Sequence, residues 1–439
     1  MATEAKPLDA RTVGELRQSY QDHLFRHLLP YWLEKAIDEE HGGYYTGFSN
    51  SGGRLLHNHK FTWSQGRFVW VWARLACQFA HTAEAPQYLR LARSGAEFLM
   101  KHALLPNGHV AFILSREGKP ILLDEQGNPR QAEPGEFYDT STFADCFVVY
   151  GLSEYARASH DPAAFDFATR LYESVEARIT LGDFRTDPYP TPEGYQQHGI
   201  PMIMLEVTRE LAVTSEDFDP ALSERLHRRA SEFARTVMYQ HRQPDLDVLI
   251  EFMGTDGRVQ PNLLGTYINP GHTLESMWFV LHYAEEAGDE TMKGQAIAAI
   301  RRACELGWDD EYPGLTQFAH MEGGRPRGAV PEGLTDHAMV RKLLDDWDAK
   351  LWWVHSEALY ALLLAHYYEP SEWSREWFWR MHEYTFATFP EPAGEWASIR
   401  NRDNTPIDKV VALPVKDPFH VPRAFMHIVR LLSMPGWTA

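Results

Sequence analysis

The feature that most constrains this chain is an alternation of two kinds of helix. Residues 10–36, 84–103, 161–179, 217–240, 287–306 and 371–388 place apolar side chains at three- and four-residue spacing, with charge on the other face, as in "ALSERLHRRASEFARTVM". That period marks an amphipathic helix with one wet side. Between them lie six segments that open with polar and aromatic residues and then turn almost wholly apolar. They are FTWSQGRFVWVWARLA from 61, TSTFADCFVVYGLSEYA from 140, QQHGIPMIMLEVTREL from 196, NPGHTLESMWFVLHYA from 269, AKLWWVHSEALYALLLAHYY from 349 and DPFHVPRAFMHIVRLL from 417. A helix that is apolar on every side must be surrounded by other helices.

Wet helix then dry helix recurs six times, the dry ones starting roughly 55–80 residues apart. Connections from dry to wet are short (HTAEA, SHDP, SEDFDP, EPSE), whereas 37–60, 104–139, 180–195, 242–268, 307–348 and 389–416 are long. Long loops of this kind carry function. With dry helices inside a ring and wet ones outside, every long loop falls at one end. So does the first turn of every inner helix. The expected architecture is all-α, an (α/α)6 barrel formed as one catalytic domain over 1–439, competing with an irregular helical array. Alternating stretches such as "HVAFIL" and "PIDKVVAL" are expected to form small β-hairpins at the mouth.

Composition limits the partners. A net charge of −19 leaves no basic face for nucleic acid or an anionic membrane. No apolar run approaches the roughly 20 residues that span a bilayer. Cys77, Cys146 and Cys304 have no framework spacing and sit in apolar segments, so buried, reduced thiols and a cytoplasmic protein are expected. Aromatics reach 13%, with 14 tryptophans, more than packing alone asks for, so some are expected to line a cleft.

The polar residues on dry-helix first turns then converge on one basin. His272, His355 and His420 stand there, and His198 just precedes another such helix. The positive end of a helix favours neutral imidazole, ready to accept a proton. Glu275, three residues after His272, is placed to hold that imidazole's second nitrogen. Arg67 enters an apolar helix and needs an anionic partner: Glu206, Glu275, Glu357 or a ligand oxyanion. Trp63, Trp278, Trp352, Trp353 and Trp396 near the mouth suit the apolar faces and hydroxylated rim of a sugar ring. His57 and His59 form half a metal site at most, and His109, His160 and His241 read as surface residues. Nucleotide, dinucleotide, zinc-protease and serine-hydrolase motifs are absent, so neither metal nor cofactor is expected.

"HGGYYTGF", "KFTWSQGRFVW", "NPGHTLESMWFVL", "KLWWVHSEALYALL", "YTFATFPEPAGEW" and "FHVPRAF" occur in order along the chain. Together they resemble the N-acylglucosamine 2-epimerase family. The resemblance implies the same barrel and a sugar 2-epimerase that opens the ring and moves a proton at C2 through an enediolate. It assigns His272 and His420 to the two proton transfers and Arg67 to substrate oxygens. With Glu275 these form the expected catalytic set. Trp63, Glu206, Trp278, Trp352, Trp353, His355, Glu357, Arg400 and Arg423 form the expected binding set. Where cellobiose-type and mannose-type relatives carry a third histidine, "PMIMLEV" places Ile203, which resembles the N-acylglucosamine branch. "EWASIRNRDNTP" departs from the family pattern, and its Arg400 suggests an anionic or differently substituted sugar. The expected partner is a monosaccharide. A homodimer is common among such proteins, though no clean heptad encodes one here. Competing readings are an aldose–ketose isomerase, an (α/α)6 glycoside hydrolase using Asp139, Asp145 or Glu357, and a non-enzymatic binding protein.

Overall fold

The computed structural model describes residues 6–409 and 415–437. Its α-helices, in chain order, are α1 (Ala10–His23), α2 (Leu29–Lys35), α3 (Thr62–Gln78), α4 (Ala85–His102), α5 (Thr142–Ser159), α6 (Pro162–Leu181), α7 (Gly199–Phe218), α8 (Pro220–Thr236), α9 (Pro270–Ala287), α10 (Glu290–Gly307), α11 (Ala338–Asp345), α12 (Trp352–Tyr368), α13 (Glu372–Thr388) and α14 (His420–Leu431). The expected first helix is interrupted by a π-helical turn, Leu24–Leu28, just before Pro30. A proline has no N–H to give the turn above it, and the wider turn absorbs the missing bond.

α3, α5, α7, α9, α12 and α14 form a ring in which each packs on the next and α14 returns to α3. α4, α6, α8, α10, α13 and α1 lie outside, each on its inner neighbour. This is the (α/α)6 barrel, and the two kinds of sequence segment sort as expected. Every residue of α12 from Val354 to His366 is buried. By contrast α8 buries one stripe, Leu222, Leu226, Ala230 and Phe233 among it. A fully buried leucine or valine contributes about 1.5–3 kcal/mol, so the inner ring dominates the core.

The mouth is held by short ladders between successive loops. Lys60–Phe61 pairs with Ile113–Leu114, Ser141 bridges Thr186, and Tyr195–Gln197 pairs with Phe252–Gly254. Tyr267–Ile268 pairs with Ala319–His320, and Lys350–Leu351 with Ile399–Arg400. The Lys416 amide donates to the Thr46 carbonyl at 2.8 Å, closing the circle. Each staple joins the lead-in of one inner helix to the loop before the next. The "HVAFIL" stretch forms local hairpin bridges, Val110 with Leu104 and Leu114 with Pro120, and also supplies a rung between loops. Pro406 of "PIDKVVAL" bridges Arg400, and residues 410–413 of that stretch lie outside the described residues. α11, inside the loop 307–348, was not anticipated.

Two of these loops are built alike. Lys60 Nζ donates to Asp38 at 2.9 Å and to the Gly42 carbonyl at 2.6 Å, while Arg116 grips Asp38 and Glu40. Lys350 Nζ donates to the Gly314 carbonyl at 2.9 Å and reaches Asp309 at 3.4 Å, while Arg402 grips Asp309 and Glu311. "AFILSREGKPI" at 111–121 and "ASIRNRDNTPI" at 397–407 carry the two arginines in one register. The lead-ins of α3 and α12 are an internal repeat.

Candidate active site

At the mouth the first turns of the inner helices surround a cavity of about 320 Å³, lined by Trp63, Arg67, Glu251, His272, Trp353 and His420 among others. Pro270 opens α9, where a missing N–H costs nothing. The Asn269 side chain accepts the His272 N–H at 3.2 Å and fixes that residue on the first turn. Gly271 lies so close to α12 that a Cβ there would meet the Trp353 ring at 2.6 Å. That absence of a side chain lets the indole slide between α9 and α14. Trp353 has His272 on one side, ring centroids 5.5 Å apart, and His420 on the other, 5.3 Å.

Each imidazole is oriented by a buried carboxylate. His272 Nδ1 lies 3.1 and 3.2 Å from the two oxygens of Glu251. His420 Nδ1 lies 2.7 Å from Glu357 Oε1. In both cases an ionised carboxylate requires a proton on Nδ1, which leaves Nε2 toward the cavity. Glu357 also takes the Trp278 indole N–H at 2.8 Å and Arg423 at 2.7 Å, and Arg423 in turn bonds Glu275. Burial pushes the Glu357 carboxyl up, but Arg423 and His420 outweigh it and the net shift is downward. Burial pulls His272 down, but the Glu251 charge, its hydrogen bond to the ring and the more distant Glu275 together outweigh it, and the net shift is upward. Glu251, in contact with the ring, thus acts against the influence expected of the helix end on His272.

Asp417 connects the other wall. Its Oδ1 accepts from Arg67 Nη1 at 2.9 Å, and its Oδ2 accepts the His420 N–H at 2.9 Å. The Arg67 guanidinium is stacked over Phe147 at 4.1 Å and over Trp63 and Phe419 at 5.0 Å. Planar delocalised charge tolerates such aromatic walls, which keep it cationic yet poorly hydrated.

Several expected residues stand elsewhere. Glu275 pairs with Arg423 rather than holding His272. Arg67 is paired by Asp417 rather than by a glutamate. Glu206 lies below the cavity, bonded to Arg209 at 2.8 Å and Tyr150 at 3.3 Å. Trp278, Glu357 and Arg423 sit behind the wall as supports, whereas Trp63, Trp352 and Trp353 do line it. His355 faces away: its Nε2 accepts the Leu315 N–H at 2.9 Å and its Nδ1 meets the Leu351 carbonyl at 2.6 Å. Arg400 turns out to Glu391 and the Thr388 carbonyl. His241 is buried rather than superficial, and Cys77 is only half-buried. Asp139 is bonded to His109 at 2.5 Å and Asp145 to Arg178 at 2.9 Å, both outside the cavity wall.

Sequence reasoning missed Glu251 and Asp417. A carboxylate inside the apolar run "VLIEFMG" was the available signal, because such a burial requires a partner. Two sets of metal-capable donors occur among the described residues, His198–Glu251–His272 and Glu275–Glu357–His420. In each, the protein's own donors already bond the carboxylates.

Comparison with known proteins agrees with this architecture. The bovine N-acylglucosamine 2-epimerase is 28% identical over 95% of this chain and 92% of its own. A cellobiose 2-epimerase from Ruminococcus albus is 24% identical over 95% of this chain and 98% of its own. The crystal structure of a sugar epimerase from a ruminal bacterium superposes with a TM-score of 0.72 at 21% identity, covering 94% of this chain and 98% of that one. The family model for N-acylglucosamine 2-epimerase (GlcNAc 2-epimerase) matches residues 42–424. That span holds all six inner helix starts, both histidines and their carboxylates, and the chain belongs to the N-acylglucosamine 2-epimerase family.

Proposed function

We propose that the protein is a sugar 2-epimerase that interconverts N-acyl-D-glucosamine and N-acyl-D-mannosamine through the open-chain aldehyde. Family membership supports the reaction class. One observation carries the mechanism: two imidazoles, each with Nδ1 committed to a buried carboxylate, flank a single cavity on either side of Trp353.

The hydrogen on C2 is acidic because it neighbours the aldehyde. In the glucosamine-to-mannosamine direction we assign its removal to His420 Nε2. The C2–H electron pair becomes the C1–C2 double bond of an enolate, with negative charge on O1. The Arg67 guanidinium, held by Asp417, is the cation on that wall suited to O1, and charge stabilisation of this kind is worth about 10²–10³-fold per donor. His272, whose protonated form Glu251 favours, then delivers its Nε2 proton to the opposite face of C2, and the carbonyl reforms. Configuration is inverted because donor and acceptor stand on different walls. In the reverse direction the two rings exchange roles. Of the carboxylates weighed for a glycoside hydrolase, Asp139 and Asp145 stand outside the cavity wall and Glu357 is committed to His420 and Arg423.

A sugar panel in D₂O, followed by proton NMR, tests this. N-acetylglucosamine, N-acetylmannosamine, glucose, mannose and cellobiose would be offered in turn. Deuterium at C2 with an N-acylmannosamine product is the expected result, abolished in His272→Asn and in His420→Asn. Label at C1 of a ketose product, or full activity in both variants, would overturn it.

A further inference from the structure

His198 belongs to neither histidine pair named above, yet it is completely buried one residue before α7. Its N–H donates to the Glu251 carbonyl at 2.8 Å. Its Nδ1 lies 3.4 Å from Glu251 Oε1, and its Nε2 lies 3.1 Å from Ser276 Oγ. Ser276 is four residues beyond His272 on α9, one turn along the same face. With a single ring proton on His198 and Glu251 ionised, one arrangement satisfies these hydrogen bonds. Ser276 Oγ–H donates to His198 Nε2, His198 Nδ1–H donates to Glu251, and His272 Nδ1–H donates to Glu251 from the other side.

We propose that His198 is a positioning residue for His272, a second imidazole on the shared carboxylate that limits how tightly Glu251 can hold the protonated ring. This rests on the reading of His272 as a proton donor to C2. Glu251 Oε1 is shared between His272 at 3.2 Å and His198 at 3.4 Å, whereas Oε2 serves His272 alone at 3.1 Å. A donor already on Oε1 draws off part of the carboxylate's charge. With that donor removed, Glu251 is left to His272, the imidazolium is held harder, and proton delivery becomes the slower step.

The titratable groups facing this cluster are few. His241 packs on His198 with ring centroids 5.5 Å apart, its Nδ1 on the Ile250 carbonyl. The Tyr267 phenol feels the Glu251 charge from the adjoining strand. Glu275 lies on α9 and adds a weaker negative influence on His272. His420 stands beyond Trp353. None of these donates to Glu251 in place of His198 among the described residues.

The test is the pH dependence of kcat/KM for N-acetylglucosamine. His272 acts as acid in this direction, so activity falls on the alkaline side as that ring loses its proton. In His198→Leu the alkaline limb moves to higher pH, and kcat/KM relative to its own plateau rises about three- to tenfold at a pH on the parent's falling limb. kcat at the plateau falls. His198→Gln, which keeps an N–H for Glu251, returns the limb toward the parent position. A merely structural role would lower activity without moving the limb. Ser276→Ala frees the tautomer and shifts the limb the same way by less, so it reads the same device if His198→Leu does not fold. Unmoved limbs in the folded variants, with His272→Asn inactive, would overturn the role of His198 alone. Full activity in His272→Asn would instead remove the reading beneath it.

Discussion

Replacing Glu251 by glutamine keeps the side chain's shape and one acceptor oxygen but deletes a charge lying 3.1 Å from His272 Nδ1. A unit-charge pair at that distance is worth about 5 kcal/mol at an effective dielectric near 20, and the burial of both groups offsets much of it. In Glu251→Gln two influences on His272 remain, burial that disfavours the imidazolium and the more distant Glu275 that favours it. The donor form is then lost near neutral pH. General acid–base catalysis contributes about 10²–10⁴-fold per group, so kcat/KM should fall about 10²–10³-fold, with KM changing much less. The assay is C2 exchange in D₂O alongside product formation. Stability gives a second, independent readout. The folded state holds the Glu251 carboxyl far below its ordinary 4.5, so its stabilising contribution exists above that value and disappears as the pH falls. His272 is held above its ordinary 6.5, so its contribution is complete below that value and disappears as the pH rises through the folded one. The parent-minus-variant difference should therefore be greatest between about pH 4.5 and 6.5. Exchange within threefold of the parent, or a stability difference flat across that range, would refute the reasoning.

Other substitutions separate chemistry from scaffold. Arg67→Lys keeps the charge but loses the planar fork between Phe147 and Asp417, and steady-state kinetics should show kcat down about 10²-fold. His355→Ala strands the buried Leu315 N–H and should cost about 1–3 kcal/mol in urea unfolding, with kcat/KM of the folded enzyme unchanged. His355→Gln should recover most of that loss, because Gln65 already does the same work in the repeated loop, accepting the Tyr44 N–H at 2.8 Å. Lys350→Met leaves the Gly314 carbonyl without its donor and should lower stability by about 3 kcal/mol, read by the same titration.

What was legible in the sequence is what repeats along it. Helix period and the contrast between one-sided and all-round apolar segments place the inner ring, and position on a first turn then finds His272, His420, Arg67, Trp63 and Trp353. The partners of those residues were not legible. Glu251 precedes His272 by 21 residues and Glu357 precedes His420 by 63, and both contacts exist only because loop ladders fix the registers. Two residues along α12 separate Trp353, which faces the cavity, from His355, which is turned to the Leu315 backbone. At about 100° per residue, proximity on a first turn does not ensure a shared direction. Arg400 was misjudged for a related reason: its strand pairing with Lys350 delivers the guanidinium to Glu391 and away from the cavity.

The internal repeat explains why so much of the mouth is scaffold. Asp38, Lys60 and Arg116 on one side, and Asp309, Lys350 and Arg402 on the other, fix two loops in the same way. Three residues after each buried lysine a tryptophan, Trp63 or Trp353, faces the cavity. Five residues after it, Gln65 or His355 ties down the preceding loop. Seven residues after it the two lead-ins diverge: α3 presents Arg67 to the cavity, and α12 presents Glu357 to His420 and Arg423. Two like lead-ins, on inner helices separated only by α14, would by themselves present like groups to the cavity. Inverting a carbon needs unlike walls, one able to accept a proton while the other supplies one. The chain breaks its own repeat where charge is required, setting a cation at Arg67 and an anion at Glu357 around His420 and so making that wall unlike the one that carries His272, and keeps the repeat where only backbone needs holding.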